Sequence, residues 1–213
     1  MVAPTGRGYR SARCDGCGLR VELCICAKLP TFTIETRLHL TLHCQEVRKP
    51  SGTARLLRRL IPASEFSTYG DGRNAEQSAA SHSAVHETRL LEPLPTLVLY
   101  PDLSAPTLNQ VSQEVRGPVR LVVPDGTWVQ TRRWRRRDST WSTARVVRID
   151  DQQTDYQLRR SESPERLCTF EAVAFALGHL ESQQLASDLL VWFEFWKRKA
   201  LASRVGGLPA SIP

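Results

Sequence analysis

The chain has 213 residues, 41% of them hydrophobic, and 29 Lys+Arg against 22 Asp+Glu give it a formal net charge of +7. That length supports one good core, so a single α/β domain with a small appendage is expected. No run approaches the roughly 18 consecutive apolar residues of a membrane span, and the Gly/Arg-rich start lacks the apolar stretch of a secretory signal, so no membrane association and a cytoplasmic location are expected.

Residues 1–12 read as a disordered basic tail. Residues 13–30 form a Cys-rich turn region ending at Pro30. Arg37-Leu38-His39-Leu40-Thr41-Leu42-His43 alternates strictly and predicts a strand with leucines on one face. Ser51 is placed to cap a helix from Thr53 to Ile61, stopped by Pro62. A short strand near Phe66 precedes a polar, weakly helical stretch at Ala75–Leu91. The rhythm is then regular: strand Thr96–Tyr100, helix Thr107–Arg116, strand Val119–Val123, helix Thr127–Arg137, strand Ala144–Ile149. Strands alternating with helices predict a largely parallel sheet with helices on both faces. The last third is helical, with Thr169 as a candidate cap and an apolar helix over Leu185–Ala200 whose aromatics suit core or a dimer face. A monomer or homodimer is expected, with an α/β domain over residues 31–205 and a flexible tail over 206–213.

Four cysteines fall at Cys14-x2-Cys17-x6-Cys24-x-Cys26. Such crowding in a reducing compartment favours metal over disulfides. Four soft ligands so close fit a structural zinc ion, Zn2+, since four thiolates leave no open position for substrate. An iron–sulfur cluster is the alternative with the same ligands.

Pro124-Asp125-Gly126-Thr127-Trp128 stands where a strand hands over to a helix, the usual ligand position in open α/β sheets. Asp125 there is either a helix cap or a carboxylate that takes a proton or orients a nucleophile. Arg132, Arg133, Arg135, Arg136 and Arg137 follow within six residues, with no acid among them. Their mutual repulsion calls for a counter-anion, and a nucleic-acid phosphate backbone is the natural one. Trp128 or Trp134 is available to stack a base, with core packing expected of at least one. Arg145 and Arg148 add to the basic count. His39, His43 and Glu46 are a weaker metal pattern, better explained as partly buried polar residues near a cleft. No Gly-x-Gly-x-x-Gly, P-loop or Gly-x-Ser-x-Gly motif occurs.

Several segments together resemble one family. They are the four-cysteine loop behind Arg13, His43-x-x-Glu46…Ser51-x-Thr53-x-Arg55-Leu56, Leu99-Tyr100-Pro101, Pro124-Asp125-Gly126-Thr127-Trp128, Tyr156-x-Leu158-Arg159, and Leu167-Cys168-Thr169-Phe170-Glu171-Ala172. Their order, over roughly residues 13–183, is similar to that of DTW-domain proteins, which include tRNA-uridine aminocarboxypropyltransferases. Cys168 stands where that pattern usually has serine.

The resemblance implies transfer of a 3-amino-3-carboxypropyl group from S-adenosyl-L-methionine to N3 of a tRNA uridine, leaving methylthioadenosine. It also implies a SPOUT-like α/β fold with a knotted C-terminal cofactor site. Asp125 is then the residue that accepts or polarises the N3 proton, Thr127 orders the turn and Trp128 walls the pocket. Tyr100, Pro101, Gly126, Leu167, Cys168 and Thr169 become cofactor contacts, and Arg159 the candidate to grip the cofactor carboxylate. The alternatives are a related SPOUT-type transferase acting on rRNA, by aminocarboxypropyl or methyl transfer, and a non-catalytic zinc-containing RNA-binding protein.

Overall fold

The structure, a computed structural model, describes residues 12–47, 49, 52–70, 94–138, 140–150 and 167–205. The expected tails apart from Ala12, the Ser51 cap, the Ala75–Leu91 stretch and the Tyr156–Arg159 motif lie outside the described residues, and the expected knot is not traced by them.

Among the described residues five strands form one parallel sheet: β1 (Arg37–His43), β2 (Glu65–Tyr69), β3 (Thr96–Leu99), β4 (Arg120–Asp125) and β5 (Arg145–Val147), in the order β2-β1-β4-β3-β5. Between them lie α1 (Cys44–Val47), α2 (Ala54–Leu60), α3 (Leu108–Glu114), α4 (Trp128–Arg135) and α5 (Thr140–Thr143), and α6 (Thr169–Leu180) and α7 (Gln183–Val205) come after β5. The α/β class and the parallel sheet are as expected. Among the described residues no helix is long and apolar enough to cross a membrane.

Alternation along the strands divides the interior into two unlike faces. Leu38, Leu40, Leu42, Leu97, Leu99, Leu121 and Val123 join one large core with α2, α3, α6, α7 and the cysteine loop. Val98, Val122, Tyr69, Tyr100 and Trp134 form a smaller aromatic cluster, with Trp141 packed against it, on the other. Helices therefore cover both faces. β1 is buried through its whole middle, His39 and Thr41 included, not on one face alone. Its position between two parallel neighbours is the reason. Its polar groups are satisfied inside: His39 Nε2 lies 2.8 Å from Ser67 Oγ, and that hydroxyl donates to Thr41 Oγ1 at 3.3 Å.

The predicted end of β4 at Val123 is two residues short, because Pro124 reads as a turn. β4 pairs with β3 only through Val122, whereas its pairing with β1 continues through Thr41↔Pro124 to Leu42↔Asp125. Proline, which lacks an N–H, is tolerated where one neighbour has already ended. The extra two residues carry the Asp125 carboxyl to the sheet's edge.

The cysteine loop is no loose appendage. Cys17, Leu19, Leu23 and Ile25 belong to the large core. Trp196 of α7, 1% exposed, donates its indole N–H to the Cys17 carbonyl at 2.8 Å. Phe193 stacks on Phe170 of α6 at 4.5 Å and on Trp196 at 5.9 Å, so these C-terminal aromatics are core, each contributing roughly 1.5–3 kcal/mol of burial.

Candidate active site

The connection after β1 leads through α1 and α2 outward to β2, while that after β4 leads through α4 and α5 past β3 to β5. Adjacent strands whose connections depart in opposite directions leave a crevice at their carboxyl ends, and ligands bind there. Asp125 is the last residue of β4 at this crevice and is 3% exposed. Its Oδ1 accepts a hydrogen bond from Thr169 Oγ1 at 2.8 Å. Forty-four residues of sequence separation are thus closed between two of the predicted site residues.

The helix cap is Thr127, not Asp125. Thr127 Oγ1 accepts from the Gln130 amide at 3.4 Å, and Gln130 Oε1 accepts from the Thr127 amide at 2.7 Å. This reciprocal Thr-x-x-Gln box satisfies two orphan donors of α4 and releases Asp125 from capping. Gln130 Nε2 also donates to Gln45 Oε1 at 2.9 Å, tying the start of α4 to the segment after β1 across the crevice. The residue ending β1, His43, makes an edge contact with Tyr69 at 5.1 Å between ring centroids.

Gly126 is required by crowding. A β-carbon there would lie 2.6 Å from Tyr69 Oη and 3.2 Å from Gln130 Oε1. Tyr69 is a site residue that the sequence does not announce, since it ends a short, weakly patterned strand. It is 5% exposed, and its Oη finds no hydrogen-bond partner among the described residues. Burial first, then the negative charges of Asp125 and Glu46, push its phenol upward from the ordinary range, so it stays protonated.

An arc of rings runs from this point. Tyr69 meets Trp134 at 5.5 Å, Trp134 meets Trp141 at 5.0 Å, Trp141 meets Tyr100 at 5.2 Å and Tyr100 meets Trp128 at 6.0 Å. Trp134 is buried and fastened through its N–H to Asp138 at 3.0 Å, so it is core. Trp128 is 36% exposed and is the ring of this pair that can meet a ligand. Tyr100 is buried beside it, and Pro101 is exposed at the rim.

At the start of α6 the cap is Cys168 rather than Thr169, which leaves the Thr169 hydroxyl for Asp125. The Cys168 amide donates to Glu171 Oε2 at 2.8 Å and the Phe170 amide to Thr53 Oγ1 at 3.3 Å. Both amides are thereby committed within the protein. The Cys168 thiol is buried, and burial with the nearby Glu171 charge pushes it well up, so it is neutral. Arg159 lies outside the described residues.

The arginines of α4 divide. Arg132, Arg133, Arg135, Arg136 and Arg137 are all exposed. Arg135 also pairs with Asp102 at 2.7 Å and lies over the Tyr100 ring at 5.4 Å. The Ser104 hydroxyl and amide, followed by Arg135, lower the Asp102 carboxyl to about 2. Arg145 is held by Glu114 at 2.5 Å, and Arg148 by Asp150 and the Ala105 carbonyl. The free basic surface is therefore narrower than the sequence count suggests. His39, with Glu65 Oε2 at 3.7 Å, and Glu46, held by Lys49 at 2.5 Å, do not converge on a metal site.

The four cysteines do converge. Among the described residues they are the one group able to hold a metal ion, with all Sγ atoms within 4.8 Å of one another. Cys14 lies 3.6 Å from Cys26 and 3.3 Å from Cys24, and Cys17 lies 3.9 Å from Cys24. Four thiolates about 2.3 Å from a tetrahedral ion stand about 3.8 Å apart, so the donor set fits. Burial pushes Cys14 up, but the Cys17 amide and the Cys24 thiol more than offset it and bring it down to about 7. Burial raises Cys17 and Cys26, the latter also through its bond to Cys14 and the Cys17 charge. Four sulfurs this close cannot all ionise without a cation. Gly16 permits the closure, since a β-carbon there would sit 2.8 Å from Cys26 Sγ.

Residues 11–201 match the DTW domain family. Over 185 residues the chain is 27% identical to tRNA-uridine aminocarboxypropyltransferase 2 of Drosophila melanogaster, covering 85% of this chain and 72% of that protein. No solved structure matches.

Proposed function

This chain belongs to the DTW-domain family, and from that premise we propose that it transfers a 3-amino-3-carboxypropyl group from S-adenosyl-L-methionine to N3 of a uridine in tRNA. The observation that carries the proposal is the buried Asp125 carboxylate, oriented by Thr169 at the switch point of the sheet and followed by the exposed arginines of α4. The named activity of the fruit-fly relative supports the same substrate class.

The sulfonium supplies an electrophilic side-chain carbon. The uridine imide is a weak nucleophile until its proton leaves, and the Asp125 carboxylate is the acceptor. The N3 electron pair then forms the N–C bond as the C–S bond breaks, and its electrons leave on sulfur as methylthioadenosine. Thr169 donates to Asp125 Oδ1 and so fixes the orientation of the carboxyl group. Holding base and carboxylate in line converts a bimolecular encounter into a positioned one, worth several kcal/mol of barrier. Trp128 offers its exposed ring to a base or to adenine beside Tyr100 and Pro101. Arg132, Arg133, Arg136 and Arg137 hold the RNA backbone. Cys14, Cys17, Cys24 and Cys26 would hold a structural zinc ion, far from substrate in role because no ligand position stays open.

Mass spectrometry of nucleosides from tRNA incubated with protein and S-adenosyl-L-methionine tests this. Aminocarboxypropyluridine together with methylthioadenosine is expected. S-adenosylhomocysteine would instead mark a methyltransferase, and RNA binding with no product would leave a binding protein.

A further inference from the structure

We propose that Tyr69 is a further catalytic residue, whose phenol donates a hydrogen bond to a uracil carbonyl flanking N3. This assignment rests on the function proposed above. Buried hydroxyls nearly always find partners, yet the Tyr69 Oη has none among the described residues although the side chain is 5% exposed. The ring is held from two sides, by His43 at 5.1 Å and Trp134 at 5.5 Å, so the hydroxyl is aimed and not merely stranded. It is aimed at the catalytic turn, because only the missing side chain of Gly126 lets the backbone after Asp125 pass beside it.

The two faces of the sheet supply the two groups. Asp125 turns toward α6 and its Thr169 partner, whereas Tyr69 belongs to the aromatic cluster on the opposite face. At the carboxyl end of the sheet the Tyr69 Oη lies against Gly126, the residue next to Asp125. An imide N–H lies between two carbonyls, so a base that offers N3–H to Asp125 offers an acceptor oxygen to a neighbouring donor. As the proton leaves, negative charge spreads onto those oxygens, and a donor already in place binds that charge more strongly than the neutral base. The phenol is suited to this because burial and the adjacent carboxylates keep it protonated. A cofactor carboxylate is the poorer partner, since Asp125 repels it.

The test is Tyr69→Phe, with transfer measured on a tRNA substrate carrying uridine, 2-thiouridine or 4-thiouridine at the modified position. Sulfur is the weaker acceptor, and comparing the two proteins cancels its effect on N3 acidity. Wild type should lose rate with one of the two thio substitutions. Tyr69→Phe should be slower by about 10²-fold in kcat, with that thio penalty absent and the melting temperature no lower than wild type. Wild-type turnover in the variant, or equal thio penalties in both proteins, would overturn the role of Tyr69 alone. A wild-type protein that makes no aminocarboxypropyluridine would overturn the function on which it rests.

Discussion

The cysteine loop and the carboxyl edge of β4 both gather polar side chains against a core, and they do so to opposite ends. In the loop every device closes the site: Gly16 admits a sulfur, Trp196 fastens a carbonyl, and four thiols face one another within 4.8 Å. At the edge one group is left open. Thr127 takes over the cap and Thr169 donates to Asp125, while the Tyr69 hydroxyl stays buried without a partner among the described residues. A closed cluster is the mark of a stabilising element, and an unsatisfied one is the mark of a site that waits for a ligand.

The contrast is sharpest if the two regions respond to different measurements. Stripping the loop with a strong chelator, or Cys17→Ser, should cost about 4 kcal/mol or more, seen as a melting temperature lower by roughly 10 °C or more. A stripped protein that melts with the loaded one would place the metal outside the fold's stability. Asp125→Asn should do the reverse, lowering kcat by about 10²–10⁴-fold with melting and tRNA affinity nearly unchanged. Equal turnover in that variant removes Asp125 from proton transfer. Replacing Arg132, Arg133, Arg136 and Arg137 together by Gln should weaken tRNA binding and flatten its dependence on log salt by about three units, while kcat at saturating tRNA holds. A salt slope equal to wild type would move the RNA to another face. Thr127→Ala should give the smallest change, about 1 kcal/mol of stability from the lost cap, read by urea unfolding. A much larger loss of turnover than of stability would show that Thr127 touches substrate.

Much of the fold is legible in the residues themselves. The alternation of strand and helix patterns foretells a parallel sheet, whereas the Thr-x-x-Gln boxes that open α3 and α4 emerge from the structure. The four cysteines announce a cluster because so tight a spacing leaves little else for them to do. Spacing fails at the boundaries. Pro124 hides the last two residues of β4, since its meaning depends on where β3 stops. Tyr69 gives no signal because one tyrosine at the end of a five-residue strand is as good a core residue as a donor.

By itself, then, the sequence determines the class of fold, the thiol cluster, the basic helix and the Asp125-Gly126-Thr127-Trp128 turn, all local patterns within a few residues. Tertiary structure alone decides that β1 and β4 are neighbours, that Thr169 reaches Asp125, and that Arg135, Arg145 and Arg148 are spent on acids or carbonyls. Those facts depend on strand order and long-range contact. Backbone periodicity records which face of an element is buried, but not which other element buries it.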